Sequence, residues 1–337
     1  MTVSLALRGK NGVSKEKRKE IIATAKRLGY QPDPEVAKLL SRIRASPGKA
    51  SHASLALLTF GETPKAWKKF TTERRYVEGA VARAKDYGYR LEEFWMNDPG
   101  MPRARLSDIL LNRGIEGVVI APLLDRLEQG KSRVIDFDFS RFAAVEISET
   151  VESPDFDRAI HDQYTSMQKC CHELELLGYK RIGLVLEEAL DLRVNGKWSA
   201  AFLHHRQYGG GKKHAPPLLL STPSQIAFDR WFDRYLPDVI VSVDGLGLKF
   251  LAQRGLAIPG EVGYVSLDLD GDSAEGIVLG GIDQNSFVVG SAAIDRLISL
   301  IQSGRTGIPT QPVRVEIEGK WVRGDSVKPV VNSALRK

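Results

Sequence analysis

The chain has few of the residues that mark disulfide-stabilised or membrane proteins. Its 337 residues include only two cysteines, Cys170 and Cys171, and adjacent cysteines almost never form a disulfide with each other. No apolar run approaches the ~20 residues of a membrane span, and no charged-then-apolar leader is visible. We therefore expect a cytoplasmic protein with reduced thiols and no membrane partner.

Catalytic and metal-binding motifs are also scarce. The six histidines show no metal-ligand spacing with the cysteines or with each other, and the sequence contains neither a Gly-x-Ser-x-Gly elbow nor a Ser/His/Asp grouping. The segment GLGLKF has Phe250 where a dinucleotide fingerprint has its third glycine, and DLDGD (268–272) lacks the length of a calcium loop. We predict no enzymatic activity, no metal and no cofactor.

Alternating strands and helices dominate the remainder of the chain. Apolar strands alternate with amphipathic helices from residue 54 to 147, and the alternation begins again at 163 and continues to 267. This pattern predicts two parallel sheets covered by helices, with a cleft between the two units. The end of the chain is predicted to complete both units with a helix at 285–302 and a strand pair at 313–317 and 320–322.

Polar and aromatic residues follow several of the predicted strands. Carboxylate and amide groups can bind sugar hydroxyls, an arginine offers paired donors, and an aromatic ring can cover the C–H face of a sugar. Each residue alone also fits ordinary surface or core positions, so the group carries the prediction. The candidate ligand-binding residues are Trp67, Phe70, Arg193, Asn195, Trp198, Asp244 and Gln284.

The first fifty residues are strongly basic. They contain 12 Lys and Arg against four Asp and Glu, a net charge of +8, whereas the other 287 residues have a net charge of −2. Such a localised charge suits contacts with nucleic-acid phosphates, although a solvated helix face is the alternative. Residues 2–8 are predicted to form a short helix, Ser14 is the predicted N-cap of a second helix, and a third helix follows Pro32 and Pro34.

These segments resemble a known family of DNA-binding proteins. The sequences TVSLALRG, GVS, LGY and QPDPEVAKLL are similar to the recognition helix, third helix and hinge helix of LacI/GalR (lactose-repressor) transcription regulators. The resemblance implies that Met1 and Leu5 read bases, that Thr2 and Ser4 contact phosphate, and that Arg8 lies on the same exposed face. It also implies that a hinge leucine, Leu39 or alternatively Leu40, enters the minor groove.

The body of the chain resembles the same family, whose core is shared with periplasmic sugar-binding proteins. The segments PDVIVSVDGLGLKFLAQRGLAIPGEVGYVSLD and IDQNSFVVGSAAIDRL carry this resemblance. It implies that Asp244 binds effector hydroxyls, although Val243 replaces the family's preceding Asn. It further implies that Arg193 lies near the effector-binding arginine and that Gln284 lines the cleft.

The resemblance gives an α/β, two-lobe, periplasmic-binding-protein-like core, built of two parallel-sheet Rossmann-like subdomains, after a truncated α-helical DNA-binding head. The family's opening helix and turn precede the position of Met1, so we expect the chain as printed to bind DNA poorly. The expected domains are a truncated helix-turn-helix head at 1–31, a hinge helix and linker at 32–50, an N-terminal lobe at 51–160 completed by about 285–305, and a C-terminal lobe at 161–284 completed by about 310–327.

The expected function is regulation of carbohydrate-related genes, as a repressor whose operator affinity responds to a small-molecule, sugar-type effector. The expected partners are that effector, operator DNA where the head is complete, and a second copy in a homodimer. The alternative is a stand-alone cytoplasmic sugar-binding sensor that no longer binds DNA.

Overall fold

The computed structural model describes residues 14–27, 53–124, 133–209, 214–271, 274 and 276–330. The chain divides into two compact units, Met1–His52 and Ala53–Lys337. In the first unit, α1 (Lys15–Arg27) begins at the predicted N-cap, since the backbone N–H of Lys17 donates to Ser14 Oγ at 3.3 Å. Lys17 and Glu20 form an exposed ion pair at 2.8 Å on this helix.

The second unit contains two lobes, each built on a six-stranded sheet. The first sheet has the order β11-β5-β4-β3-β1-β2, and all of its strands are parallel. Its strands are β1 (Ala53–Thr59), β2 (Tyr89–Trp95), β3 (Gly117–Ile120), β4 (Ala143–Ile147), β5 (Asp157–Asp162) and β11 (Arg314–Glu318). The helices of this lobe are α2 (Thr71–Asp86), α3 (Arg103–Asn112) and α9 (Ser286–Gln302), and a short 3-10 helix (Ala66–Lys69) precedes α2.

The second sheet repeats the arrangement with one antiparallel edge. Its order is β12-β10-β9-β8-β6-β7, and only β12 runs against its neighbour. Its strands are β6 (Ile182–Glu187), β7 (Leu218–Leu220), β8 (Val239–Ser242), β9 (Gly263–Ser266), β10 (Gly280–Asp283) and β12 (Lys320–Val322). Its helices are α4 (Gln163–Leu176), α5 (Glu188–Arg193), α6 (Lys197–Tyr208), α7 (Gln225–Tyr235) and α8 (Leu246–Arg254).

Both faces of each sheet are buried, as the continuous apolar strands predict. In β1, Leu55 and Leu57 face the core under α2 and α9, whereas Ala56 and Leu58 face the core under α3. This alternation follows from the two-residue period of a strand. The predicted α/β, two-lobe fold is confirmed, and no described helix combines the length and apolar character needed to cross a bilayer.

The chain passes between the lobes at three crossovers. These lie between β5 and α4, between β10 and α9, and between β11 and β12. The strands predicted at 313–317 and 320–322 are present, but they do not pair with each other, because β11 extends the first sheet beside β5 and β12 extends the second beside β10. Residues 314–318 therefore complete the N-terminal lobe and not the C-terminal lobe, and Gly319 is the crossing point.

Two glycines let α2 and α9 approach backbone to backbone. A Cβ added at Gly79 would lie 1.9 Å from the carbonyl oxygen of Phe287, and one added at Gly290 would lie 1.9 Å from that of Tyr76. Any side chain at either position would therefore collide with the opposite backbone. This contact fixes the first turns of α2, which face the space between the lobes.

Candidate functional site

The loops that follow the carboxyl ends of both sheets surround a cleft of about 380 Å³ between the lobes. Parallel strands collect their following loops at one edge, so both lobes contribute side chains there. The first lobe contributes the start of α2 and the loops after β3 and β4, and the second lobe contributes the loops after β6, β8 and β9. The size and position are those of a site for a small molecule.

Five of the seven predicted ligand-binding residues line this cleft: Phe70, Arg193, Trp198, Asp244 and Gln284. Phe70 is 48 % exposed, whereas Trp198 is buried at the cleft wall with its ring 5.8 Å from that of His161. Gln284 is buried, and its Nε2 donates to the carbonyl of Leu267 at 2.9 Å. That bond fixes the orientation of its amide at the β10–α9 crossover.

The other two predicted residues, Trp67 and Asn195, lie outside the cleft lining. The indole N–H of Trp67 donates to Glu93 Oε1 at 2.7 Å, and this buried ring packs in the core of the first lobe. Asn195 has a left-handed backbone (φ 57°) and donates from Nδ2 to Glu149 Oε2 at 2.9 Å. Their places near strand ends in the sequence did not reveal that each side chain turns toward another partner.

Several cleft residues were not predicted as ligand-binding. Glu73 and Tyr76 lie on the first turns of α2, about one and two turns after Phe70, and face the same space. Asp268 belongs to the DLDGD stretch, which was considered from the sequence only as a calcium loop of insufficient length. Glu73 and Tyr76 could have been predicted from their position, because they lie at the start of a helix that follows a strand ending at the cleft.

The cleft is lined by more carboxylates than cations. Glu73, Asp244 and Asp268 face Lys69 and Arg193 across it, and Arg193 Nη2 donates to Glu73 Oε1 at 3.3 Å. Burial strongly raises the pKa of the Tyr76 phenol, and the charges of Asp268 and Glu73 raise it further. Tyr76 is therefore a neutral hydroxyl that can donate and accept hydrogen bonds.

The floor of the cleft lies at the crossovers. Gln163, the first residue of α4, is buried, and its Oε1 has no hydrogen-bond partner among the described residues. A buried amide oxygen without a partner is unfavourable, so a ligand or water in the cleft would satisfy it. His161, behind Trp198, is also buried, and burial lowers its pKa to about 4, so the imidazole is neutral.

A cluster of Glu175, His205 and His214 lies away from the cleft in the second lobe. The Nε2 atoms of His205 and His214 lie 3.1 and 3.3 Å from Glu175 Oε1, a proximity that the sequence spacing did not suggest. The N–H of Ile182 donates to His214 Nδ1 at 3.2 Å, so the proton of neutral His214 is on Nε2 and donates to Glu175. A histidine that binds a metal directs an unprotonated ring nitrogen at the ion, whereas His214 directs its protonated Nε2 at Glu175. This geometry therefore favours a hydrogen-bonded cluster.

The predicted DNA-binding residues lie outside the described part of the chain. These are Met1, Thr2, Ser4, Leu5, Arg8, Leu39 and Leu40. Their roles therefore remain predictions.

The two-lobe fold is similar to that of solved LacI-type transcriptional regulators. A complex of the transcriptional regulator CelR with cellobiose is 16 % identical, with a TM-score of 0.55 over 96 % of this chain and 95 % of that one. The Lac repressor bound to ONPG is 15 % identical, with a TM-score of 0.53 over 96 % and 94 %. The regulator CCPA from Weissella paramesenteroides with bound glucose is 12 % identical, with a TM-score of 0.55 over 82 % and 99 %. No protein-family model and no curated protein matches the sequence.

Proposed function

We propose that the protein is an effector-responsive transcription regulator of the LacI/GalR type whose cleft binds a sugar or sugar derivative. The observation that carries this proposal is the inter-lobe cleft, in which aromatic, carboxylate and amide groups from both lobes face one another. A ligand that contacts both lobes changes their relative arrangement by binding one arrangement more tightly than the other.

The chemistry of the lining favours a polyhydroxylated ligand. Phe70 and Trp198 supply aromatic surfaces, Asp244 and Asp268 supply paired acceptors for hydroxyl groups, and Gln163 supplies an amide oxygen without a partner among the described residues. Structures of similar fold are described with cellobiose and with glucose bound, which supports the same ligand class here.

The proposed response acts on DNA through the basic first fifty residues. In a homodimer, movement of the lobes would change the spacing of the two hinge segments and with it the affinity for a palindromic operator. Repression of carbohydrate-related genes is the role that fits a sugar effector. A stand-alone sugar sensor is the second candidate, because the cleft alone would suffice for that role.

Ligand binding can be tested with a panel of neutral mono- and disaccharides that includes cellobiose and glucose. A ligand that binds only the folded chain raises its melting temperature by mass action, and Trp198 in the cleft wall should report binding through its fluorescence. We expect Asp244→Asn to weaken binding about tenfold or more, because the carboxylate's charge-assisted hydrogen bonds are lost.

The matched control is Asp233→Asn. Asp233 is an exposed acid of the same lobe that pairs with Arg254, the last residue of α8. This variant should bind like the wild type. If no sugar shifts the melting temperature, or if both variants bind equally well, the cleft is not the sugar site.

DNA binding can be tested by selecting duplexes from a random pool with the chain and with a version extended by the in-frame upstream codons. Enrichment of a palindrome by the extended chain, lost on Leu39→Ala, supports the regulator. Sugar binding by a chain that enriches no sequence in either form would support the sensor.

A further inference from the structure

Glu149, a residue outside the cleft lining, joins the two lobes through both of its carboxylate oxygens. It follows β4 in the first lobe, whereas its partners Asn195 and Lys197 lie at the start of α6 in the second. Oε2 accepts from Asn195 Nδ2 at 2.9 Å, and Lys197 Nζ lies 2.6 Å from Oε1. We refer to these three residues as the Glu149 clasp.

The charged ends of both ionised side chains in the clasp are buried. The Glu149 side chain has 0 % exposure, and Lys197 Nζ is buried although 22 % of its side chain as a whole is exposed. A buried charge that loses its partner is strongly unfavourable. The arrangement of the lobes in this structure therefore depends on the presence of both charges together.

Both halves of the clasp are held in place within their own lobes. In the first lobe, Thr150 Oγ1 accepts from the N–H of Leu123 at 2.8 Å, and the N–H of Val151 donates to the buried Glu146 at 2.8 Å. These bonds fix the two residues that follow Glu149. The position of the carboxylate is therefore set before the second lobe contacts it.

In the second lobe, a tight turn presents Asn195 and Lys197 on one side. Asn195 and Gly196 both have left-handed backbone angles, φ 57° and 69°, and the N–H of Gly196 donates to the carbonyl of Asp191 at 2.8 Å. The buried Asp191 side chain also accepts from the N–H of Ser199 at 3.1 Å. This turn leaves both partner side chains free to face the other lobe.

We propose that the Glu149 clasp controls closure of the cleft, and that the lobes stay closed only while the buried charges of Glu149 and Lys197 compensate each other. Other contacts also bridge the lobes, including Thr72 Oγ1 to Asp268 Oδ2 at 2.6 Å and Arg193 to Glu73 at 3.3 Å. Those groups line the cleft, so a ligand can replace them, whereas the clasp lies outside and remains when a ligand enters. The inference deepens the proposed function by naming what regulates access to its site.

The burial of both charges predicts the behaviour of three variants. Lys197→Met leaves an uncompensated buried carboxylate in the closed arrangement, and Glu149→Gln leaves an uncompensated buried ammonium group. In each single variant the closed-to-open ratio should therefore fall by at least about tenfold. The double variant removes both charges and should restore closure relative to either single variant.

The inter-lobe distance can be measured without any ligand. Spin labels on Lys65→Cys and Glu188→Cys, at exposed positions in the first and second lobes, report it by double electron–electron resonance. Cys170 and Cys171 are fully buried, and burial raises the pKa of both thiols, so neither should react with the label. Circular dichroism confirms that each variant is folded.

The control is Glu152→Gln, three residues from Glu149, whose side chain is 67 % exposed and lies near Arg133 of the same lobe. It should give the wild-type distance distribution. The proposal is overturned if folded Lys197→Met or folded Glu149→Gln is as closed as the wild type, or if the double variant is no more closed than the single variants. If one single variant does not fold, a double variant that is more closed than the other single variant retains the proposal, and a folded double variant that is not more closed overturns it. No sugar is added in this experiment, so its result tests the clasp even if the cleft does not bind a sugar.

Discussion

Replacing Gly290 by alanine should disturb the cleft from a position on α9 that does not line it. The added Cβ would lie 1.9 Å from the carbonyl oxygen of Tyr76, whose side chain lines the cleft. Since side-chain Cβ atoms essentially never approach other atoms within 3.0 Å, the two helices must separate by about 1.1 Å. The obstructing atom belongs to the backbone of a helix, so no side-chain rotation relieves the contact.

The expected loss of stability follows from two opposing terms. Alanine is favoured over glycine within a helix by up to about 1 kcal/mol. Overpacking a tight contact costs about 1–3 kcal/mol, and this contact lies at the upper end because backbone must move and buried neighbours such as Val289 and Ala293 lose contacts. We expect a net destabilisation of about 2 kcal/mol, which would lower the melting temperature by about 4–8 °C.

Thermal unfolding and sugar titration of the same variant test this reasoning. Gly260→Ala is the control, because its Cβ would meet nothing closer than 3.6 Å. Gly290→Ala should lose both stability and ligand affinity, since Tyr76 moves with α2, whereas Gly260→Ala should change neither. A Gly290→Ala protein that melts within 1 °C of the wild type, as judged against ~2 kcal/mol expected, would show that the helices are not in backbone contact.

Two further predictions concern buried ionisable groups. Burial lowers the pKa of His161 from 6.5 to about 4, so the unfolded chain binds more protons than the folded chain between these pH values. The contribution of neutral His161 to the free energy of unfolding is fully present above about pH 6.5, and this free energy should fall by up to about 3 kcal/mol toward pH 4. Urea unfolding across this range should show a weaker pH dependence in His161→Asn, but no change in the exposed control His172→Asn. Arg158 Nε donates to the fully buried Glu146 at 2.6 Å, so Arg158→Met alone should cost about 3–5 kcal/mol, and adding Glu146→Gln should recover part of it. Equal unfolding free energies for the single and double variants would contradict a buried pair.

Much of the fold could be predicted because most strands are short apolar segments that are recognisable in the local sequence. Strand β3 (GVVI) is apolar throughout and β4 (AAVEI) contains only one charged residue, and both lie in the stretch 54–147 where alternating strands and helices were predicted. The sequence of β5, DRAIHD, hid its strand character, because its charged residues are buried and paired. Asp157 accepts from Arg296 at 2.7 Å, a partner about 140 residues away that no local pattern indicates.

The cleft was predicted less completely for a related reason. Residues at strand ends were expected to face a ligand, and Arg193 and Asp244 do line the cleft. Trp67 ends in the core because Glu93 on the neighbouring strand accepts from its indole. Which way a side chain turns at a strand end depends on partners from other strands, and sequence distance does not show them.

The arrangement of the crossovers gives a ligand a direct connection to the first lobe's longest helix. Gln284 lines the cleft floor, and α9 begins two residues later at Ser286. At Gly290 the backbones of α9 and α2 are in direct contact. No side chains between the two helices can therefore absorb a displacement of Gln284 before it reaches Tyr76. Packed interiors transmit strain in this way since they have few voids. A ligand that binds Gln284 and Tyr76 together should therefore stabilise one position of both helices, and the clasp then determines how often the second lobe closes over it.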